Sequence, residues 1–144
     1  MRRDRGSDIV TVLTTIDRDP GCTKVVETAE DLSAGLGQEL VILHVKSESE
    51  DDAAVRAEIE EIAANAVRDD THYEVRIVEE AAKQEAPTGR TASTILRVTE
   101  EIDPSYLVIG SRKRTTVGKV LLGSVSQLVL RNAEVPVVTV EQAT

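Results

Sequence analysis

The stretch of this chain best suited to chemistry is Gly110-Ser111-Arg112-Lys113-Arg114-Thr115-Thr116-Val117-Gly118-Lys119-Val120-Leu121-Leu122-Gly123-Ser124, which follows an apolar run and leads into a helix. Glycines let a backbone approach a ligand closely, unpaired N–H groups at a helix start attract anions, and the four cations of the loop add long-range attraction. That combination describes a phosphate site. It is not a P-loop, because seven residues separate Gly110 from Gly118 and Lys119 is followed by Val120 rather than Ser or Thr. Each part also has a plainer reading. Ser124 with Gln127 forms a capping box, glycines turn chains, and a run such as Arg112-Lys113-Arg114 is usually a solvated loop. The coincidence of all three in one loop favours the phosphate.

Charge distribution points the same way. Residues 105 to 144 carry a balance of +3, whereas the first 104 carry −12, within a chain whose formal net charge is −9. An acidic protein has one basic corner. The overall acidity argues against binding to nucleic-acid backbones or anionic membranes, and the only aromatics, Tyr73 and Tyr106, offer no stacking platform for single strands.

The elements that must hold this loop alternate strand and helix. Asp8 to Thr14 reads as a first strand, with Asp19-Pro20 opening a helix whose stripe is Val25, Ala29, Leu32 and Leu36 and whose stop is Gly37. Leu40 to Val45 is an unbroken apolar strand of the kind covered on both faces. Ser47-Glu48-Ser49-Glu50 reads as a capping box for a second helix with Val55, Ile59, Ile62 and Ala66 in register. Tyr73 to Val78 alternates as a half-covered edge strand would. A loop around Pro87-Thr88-Gly89 precedes a third helix with Thr91, Ile95, Val98 and Ile102 aligned, closed before Pro104. Tyr106 to Gly110, a short helix from Ser124 to about Asn132, and Val135 to Val140 complete the pattern.

Such alternation demands a parallel sheet with helices on both faces. Two orders suit five strands, 2-1-3-4-5 and 3-2-1-4-5, and the second reverses between strands 1 and 4, which is where open sheets bind ligands. The expected fold is an open five-stranded α/β sheet, Rossmann-like, with both orders open. Its carboxyl-end loops would carry Thr15-Ile16-Asp17 and Ile109-Gly110.

Length and composition set the remaining bounds. The 144 residues, 40% hydrophobic and 30% charged, suit a single domain spanning 1–144 with residues 1–7 as a flexible tail. A single cysteine, Cys22, excludes an internal disulfide and fits a small packed residue, and no apolar run approaches the ~18 residues of a membrane span. A cytoplasmic protein without membrane contact follows. His44 reads as a packed strand-end histidine, since no nucleophile is placed beside it, and no catalytic or metal-ligating set emerges.

The loop resembles the nucleotide-binding signature of the universal stress protein (UspA-type) family, Gly-x2-Gly-x9-Gly-Ser/Thr. Gly110, Gly123 and Ser124 match in residue and spacing, and Lys113 stands at the second glycine. The resemblance runs from Asp8 to Val140 and includes Asp17 after strand 1, His44-Val45 closing strand 2 and the final strand. It implies the adenine nucleotide alpha hydrolase-like variant of the fold with strand order 3-2-1-4-5, ATP with Mg2+ as cofactor, and a homodimer. Carried over by position, Asp17 would lie near the adenosine, the Val45 backbone at the adenine edge and Gly110 against the ribose. Gly123, Ser124 and Val125 would offer N–H groups to the phosphates, and Thr15 stands where many ATP-binding members have proline. Thr15, Ile16, Asp17, Val45, Ile109, Gly110, Arg112, Lys113, Gly123, Ser124 and Val125 are the candidate cofactor-binding residues.

Three functional readings stay open at this point. The first is a dimeric regulatory module that binds ATP with little or no turnover and is read by other proteins. The second keeps the fold and the dimer but has lost nucleotide because of Lys113, and the third is a slow ATPase. The dimer also has a physical root: the last strand is an apolar, β-branched edge, so Val135, Val137, Val138, Thr139 and Val140 invite pairing with a second copy.

Overall fold

The computed structural model describes residues 10–18, 21–68, 70–80, 87–111 and 123–142. Along the chain these form β1 (Thr11–Thr15), α1 (Cys22–Leu36), β2 (Glu39–Lys46), α2 (Asp52–Ala66), β3 (Tyr73–Glu79), α3 (Pro87–Ile102), β4 (Tyr106–Ser111), α4 (Ser124–Asn132) and β5 (Val137–Glu141). The five strands are all parallel in the order β3-β2-β1-β4-β5. β1 and β4 are neighbours through Val12↔Tyr106, Leu13↔Leu107 and Thr14↔Val108, so the topological reversal lies between them, as the order 3-2-1-4-5 requires.

Strand alternation builds two cores. Val12, Leu40, Ile42, Val108 and Val140 pack with Val25, Val26 and Ala29 of α1 and Val55, Ile59 and Ala63 of α2. Leu13, Val41, Leu43, Leu107 and Ile109 pack with Ala92, Ile95 and Val98 of α3 and Val129 of α4. A strand that contributes to both layers has no polar face, which is why Leu40 to Leu43 reads as an unbroken apolar run. The β1–β4 junction gains one further link, because the buried Thr14 hydroxyl donates to the Val108 carbonyl at 2.9 Å.

Several local expectations change. The buried arc of α1 is Cys22, Val25, Val26, Ala29, Glu30 and Ser33, while Leu36 is 45% exposed. Gly37 does end the helix in the left-handed conformation (φ 67°), and Gln38 N–H closes onto the Ser33 carbonyl at 2.9 Å. Buried Glu30 is held by Arg68 Nε at 2.9 Å and by the Thr71 hydroxyl, which together outweigh the cost of burial and keep its carboxyl below the ordinary range. The Ser47–Glu50 box does not open α2. Its Glu50 carboxylate does accept Ser47 N–H at 2.9 Å, but this makes a turn, and the cap is Asp51, whose carboxylate accepts Ala54 N–H at 2.9 Å. Pro87 to Gly89, expected as loop, are the first residues of α3, where proline's missing N–H costs nothing. β5 starts at Val137, not Val135, and β1 at Thr11; Asp8-Ile9 and Asp19-Pro20 lie outside the described residues.

Candidate functional site

Parallel strands all end on one side of the sheet, so residues just past β1, β2, β4 and β5 meet there. They line a crevice of about 300 Å3. All nine expected site residues that lie among the described ones border it: Thr15 at the end of β1, Ile16 and Asp17 just past it, Val45 in β2, Ile109 and Gly110 in β4, and Gly123, Ser124 and Val125 at the start of α4. Arg112 and Lys113, together with the rest of residues 112–122, lie outside the described residues. The crevice has further walls that the sequence reading did not assign: Thr91 and Ile95 from α3, Ser126 and Val129 from α4, Val25 from α1, His44, and Gln142 just past β5.

The floor on the β1 side is held by main-chain continuity. Ile16 N–H donates to the Leu43 carbonyl at 3.0 Å, extending the ladder one residue beyond β1, and the Ile16 carbonyl meets His44 Nδ1 at 2.8 Å. A carbonyl can only accept, so the proton sits on Nδ1. His44 Nε2 is buried with no hydrogen-bond partner among the described residues, at the edge of the crevice. The expectation of a packed histidine holds, and its packing tethers the segment that carries Asp17.

Next to Asp17 the chain takes a left-handed turn at Arg18 (φ 74°), costly for a residue with a Cβ. Two ion pairs offset it: Arg18 Nη1 donates to Glu58 Oε1 at 2.8 Å and Arg18 Nη2 to Glu50. The Glu58 bond, reinforced by the charges of Glu50 and Glu58 against a smaller burial cost, raises the Arg18 guanidinium above its ordinary value. Glu50 is pulled below the usual carboxylate range, first by the Ser47 N–H and then by Arg18, His44 and Lys46, against the opposing effect of burial. Buried Lys46 donates to the Ser47 and Glu50 carbonyls at 3.3 and 3.2 Å and lies 4.0 Å from Glu79. The α2 start is thereby bound to the rim of the crevice.

The opposite wall is a helix start. Gly123, extended at ψ 168°, is the N-cap of α4 and places no side chain over the first turn, and the first intrahelical bond runs from Gln127 N–H to its carbonyl at 2.9 Å. Ser124 is therefore not the cap that the sequence suggested; it is the exposed first residue of the helix. The N–H groups of that turn have no intrahelical acceptors and no side-chain cap among the described residues, and the turn borders the crevice, where it can serve as an anion cradle. Ser126 ties the helix to β4 by donating to the Gly110 carbonyl at 3.0 Å. The residues thus fit a phosphorylated ligand: an uncapped helix start at one end, Asp17 and the Val45 main chain at the other, apolar walls between. Among the described residues no cluster of three His, Cys, Asp or Glu side chains forms a metal site.

Comparison with known proteins agrees in architecture. The universal stress protein family model matches residues 10–141. A solved universal stress protein in complex with cAMP superposes with a TM-score of 0.69 at 23% identity, over 94% of this chain and 98% of that one. One from Archaeoglobus fulgidus in complex with dAMP gives a TM-score of 0.62 at 18% identity, over 91% and 96% of the two chains. A third, from Archaeoglobus fulgidus DSM 4304, is 27% identical with a TM-score of 0.65, covering 99% of this chain and 48% of that one. No curated protein matches the chain in sequence. Among the described residues no helix is long and apolar enough to cross a membrane.

Proposed function

The chain belongs to the universal stress protein family, and from that premise we propose that it is a regulatory module which binds an adenine nucleotide, ATP carried with Mg2+, and turns it over slowly or not at all. The observation that carries this reading is the convergence of Asp17, Val45, Gly110 and the uncapped Gly123–Val125 helix start on one crevice above the β1–β4 reversal. The anion cradle receives the phosphates by main-chain N–H groups and the favourable end of the helix dipole. Adenine lies toward Asp17 and the Val45 backbone, and the apolar side chains of Ile16, Ile95 and Ile109 exclude water from it. Magnesium would come with the nucleotide, since among the described residues no cluster of three His, Cys, Asp or Glu side chains could hold it. In this reading the bound nucleotide acts as a signal rather than a substrate.

The protein works as a cytoplasmic homodimer. Support comes from β5, an outer strand of the sheet whose Thr139 is exposed and whose Val137 and Val138 are half-buried. Val135 is half-buried just before that strand, whereas Val140, expected at the interface, is buried in the core with Val12 and Val108. Nucleotide at the β4–α4 side of the sheet then lies close to a surface that another protein reads.

Isothermal titration of the full chain with ATP-Mg2+ tests the reading: saturable heat with one nucleotide per protomer is expected. Absence of both heat and thermal shift at millimolar nucleotide overturns it. Lys113→Gly, tested in parallel, separates the competing reading, because affinity that emerges only in the variant assigns the natural protein to the interaction class without nucleotide. Light scattering that returns a monomer at micromolar concentration removes the dimer.

A further inference from the structure

Gln142 lies outside the glycine loop, yet it is the side chain nearest the first glycine of that loop. A Cβ built on Gly110 would sit 2.6 Å from Gln142 Cδ, 2.6 Å from its Oε1 and 2.9 Å from its Cγ, so the carboxamide rests directly on the face of the glycine. Its backbone is fixed there, since Gln142 N–H donates to the Ser111 carbonyl at 2.9 Å and continues the β4–β5 ladder one residue beyond Glu141. The side chain lines the crevice. Gly110 itself lines that crevice at the end of β4, between β1 and β5 in the sheet, and its carbonyl accepts from Ser126 of α4.

A ligand that stretches from the Asp17 side to the α4 helix start crosses the end of β4, where Gly110 lies. For a nucleotide the middle is the sugar. Ile109 and Val125, which also line the crevice, have apolar side chains, whereas a carboxamide presents an acceptor and two donors, the pattern that matches a vicinal diol. We infer that Gln142 is a specificity-determining residue of this site, its carboxamide hydrogen-bonding the ribose hydroxyls so that the pocket selects ribonucleotides over nucleotides lacking the diol. The inference rests on the nucleotide reading above. It also gives Gly110 a second purpose: a larger residue would push the carboxamide off the strand end and into the sugar's space.

The test is titration of the full chain with ATP-Mg2+ and with 2′,3′-dideoxy-ATP-Mg2+, using wild type, Gln142→Ala and Gln142→Asn, each checked by thermal melt. Wild type should bind ATP about 5–10-fold more tightly than the dideoxy compound, the range one or two neutral hydrogen bonds supply. In both variants ATP affinity should fall to the dideoxy level while dideoxy affinity stays unchanged. Equal binding of the two nucleotides by wild type overturns the inference and leaves the nucleotide reading intact, and this comparison needs no variant. Tighter binding of both compounds by Gln142→Ala also overturns it, by showing that the side chain obstructs the pocket. Equal weakening of both overturns it as well, by showing that the residue only packs. Failure of wild type to bind ATP at all removes the nucleotide reading and this inference with it.

Discussion

Replacing Glu50 by glutamine isolates one charge beside the crevice while keeping its shape. The carboxylate accepts the Ser47 N–H at 2.9 Å, pairs with Arg18, and faces the buried Lys46, whose next carboxylate is Glu79 at 4.0 Å. Glutamine can still accept from Ser47, so what is lost is the difference between charged and neutral hydrogen bonds, about 1 kcal/mol, plus the attraction to Arg18 and Lys46. With the Glu50 side chain 27% exposed, solvent screens part of that attraction, and the total loss at neutral pH should be about 1–2 kcal/mol. The pH dependence is the sharper test. The folded carboxyl lies below its ordinary 4.5, so the unfolded chain takes up its proton first as pH falls. Stability from this group is therefore complete above that value, erodes as pH drops below it, and is gone once the folded carboxyl is protonated too. Glutamine carries no such dependence. Urea unfolding of both proteins at pH 7, 5 and 3 should show a gap between wild type and variant that is full at pH 7 and closes toward pH 3, the Glu30 cluster being common to both and cancelling. A gap that does not change with pH would show that the loss is steric, and no gap at pH 7 would show that the carboxylate is no better placed in the fold than in water; either result refutes the electrostatic account of the rim.

Thr14→Val should lower stability by about 1 kcal/mol through loss of the bond to the Val108 carbonyl, seen as a urea midpoint shift at unchanged slope. Ile59→Ala, at a fully buried position facing the sheet, should cost about 3 kcal/mol by calorimetry, because the site lies in the middle of α2 where neighbours cannot collapse inward. Gly37→Ala should cost about 1 kcal/mol in the same assay with no packing change, since its added Cβ would meet nothing within 4 Å and only the left-handed φ of 67° opposes it.

Much of the architecture was legible because burial on both faces leaves a mark that local structure cannot blur. Leu40 to Leu43 has no polar alternation to misread, and the parallel order follows from the crossovers. Local signals fared worse where two residues compete for one job. Ser47 and Asp51 both carry capping oxygens, and the carboxylate of Asp51 reached the free N–H of Ala54 while Ser47 was spent in the preceding turn. Spacing alone puts Leu36 on the buried stripe of α1, whereas the buried arc runs through Val25, Val26, Ala29, Glu30 and Ser33 and leaves Leu36 exposed. At the site, residues next to strand ends could be named because parallel strands deliver them to one side. Thr91, Ile95 and Ser126 could not, since their arrival depends on which helical face turns inward. Gln142 was within reach of the same strand-end rule, but it follows an edge strand that had been read only as a dimer surface.

The seam between β1 and β4 is joined over three residue pairs, whereas β2 and β3 are joined over seven. The crevice opens directly above that short seam, so anything seated in it grips both halves of the sheet where the backbone lacing is thinnest. Such an occupant behaves as a rivet: amide protons of β4 should exchange more slowly when it is in place, and the whole chain should melt later even though no strand has been lengthened. Occupancy of the crevice would then register as stiffness rather than as displacement.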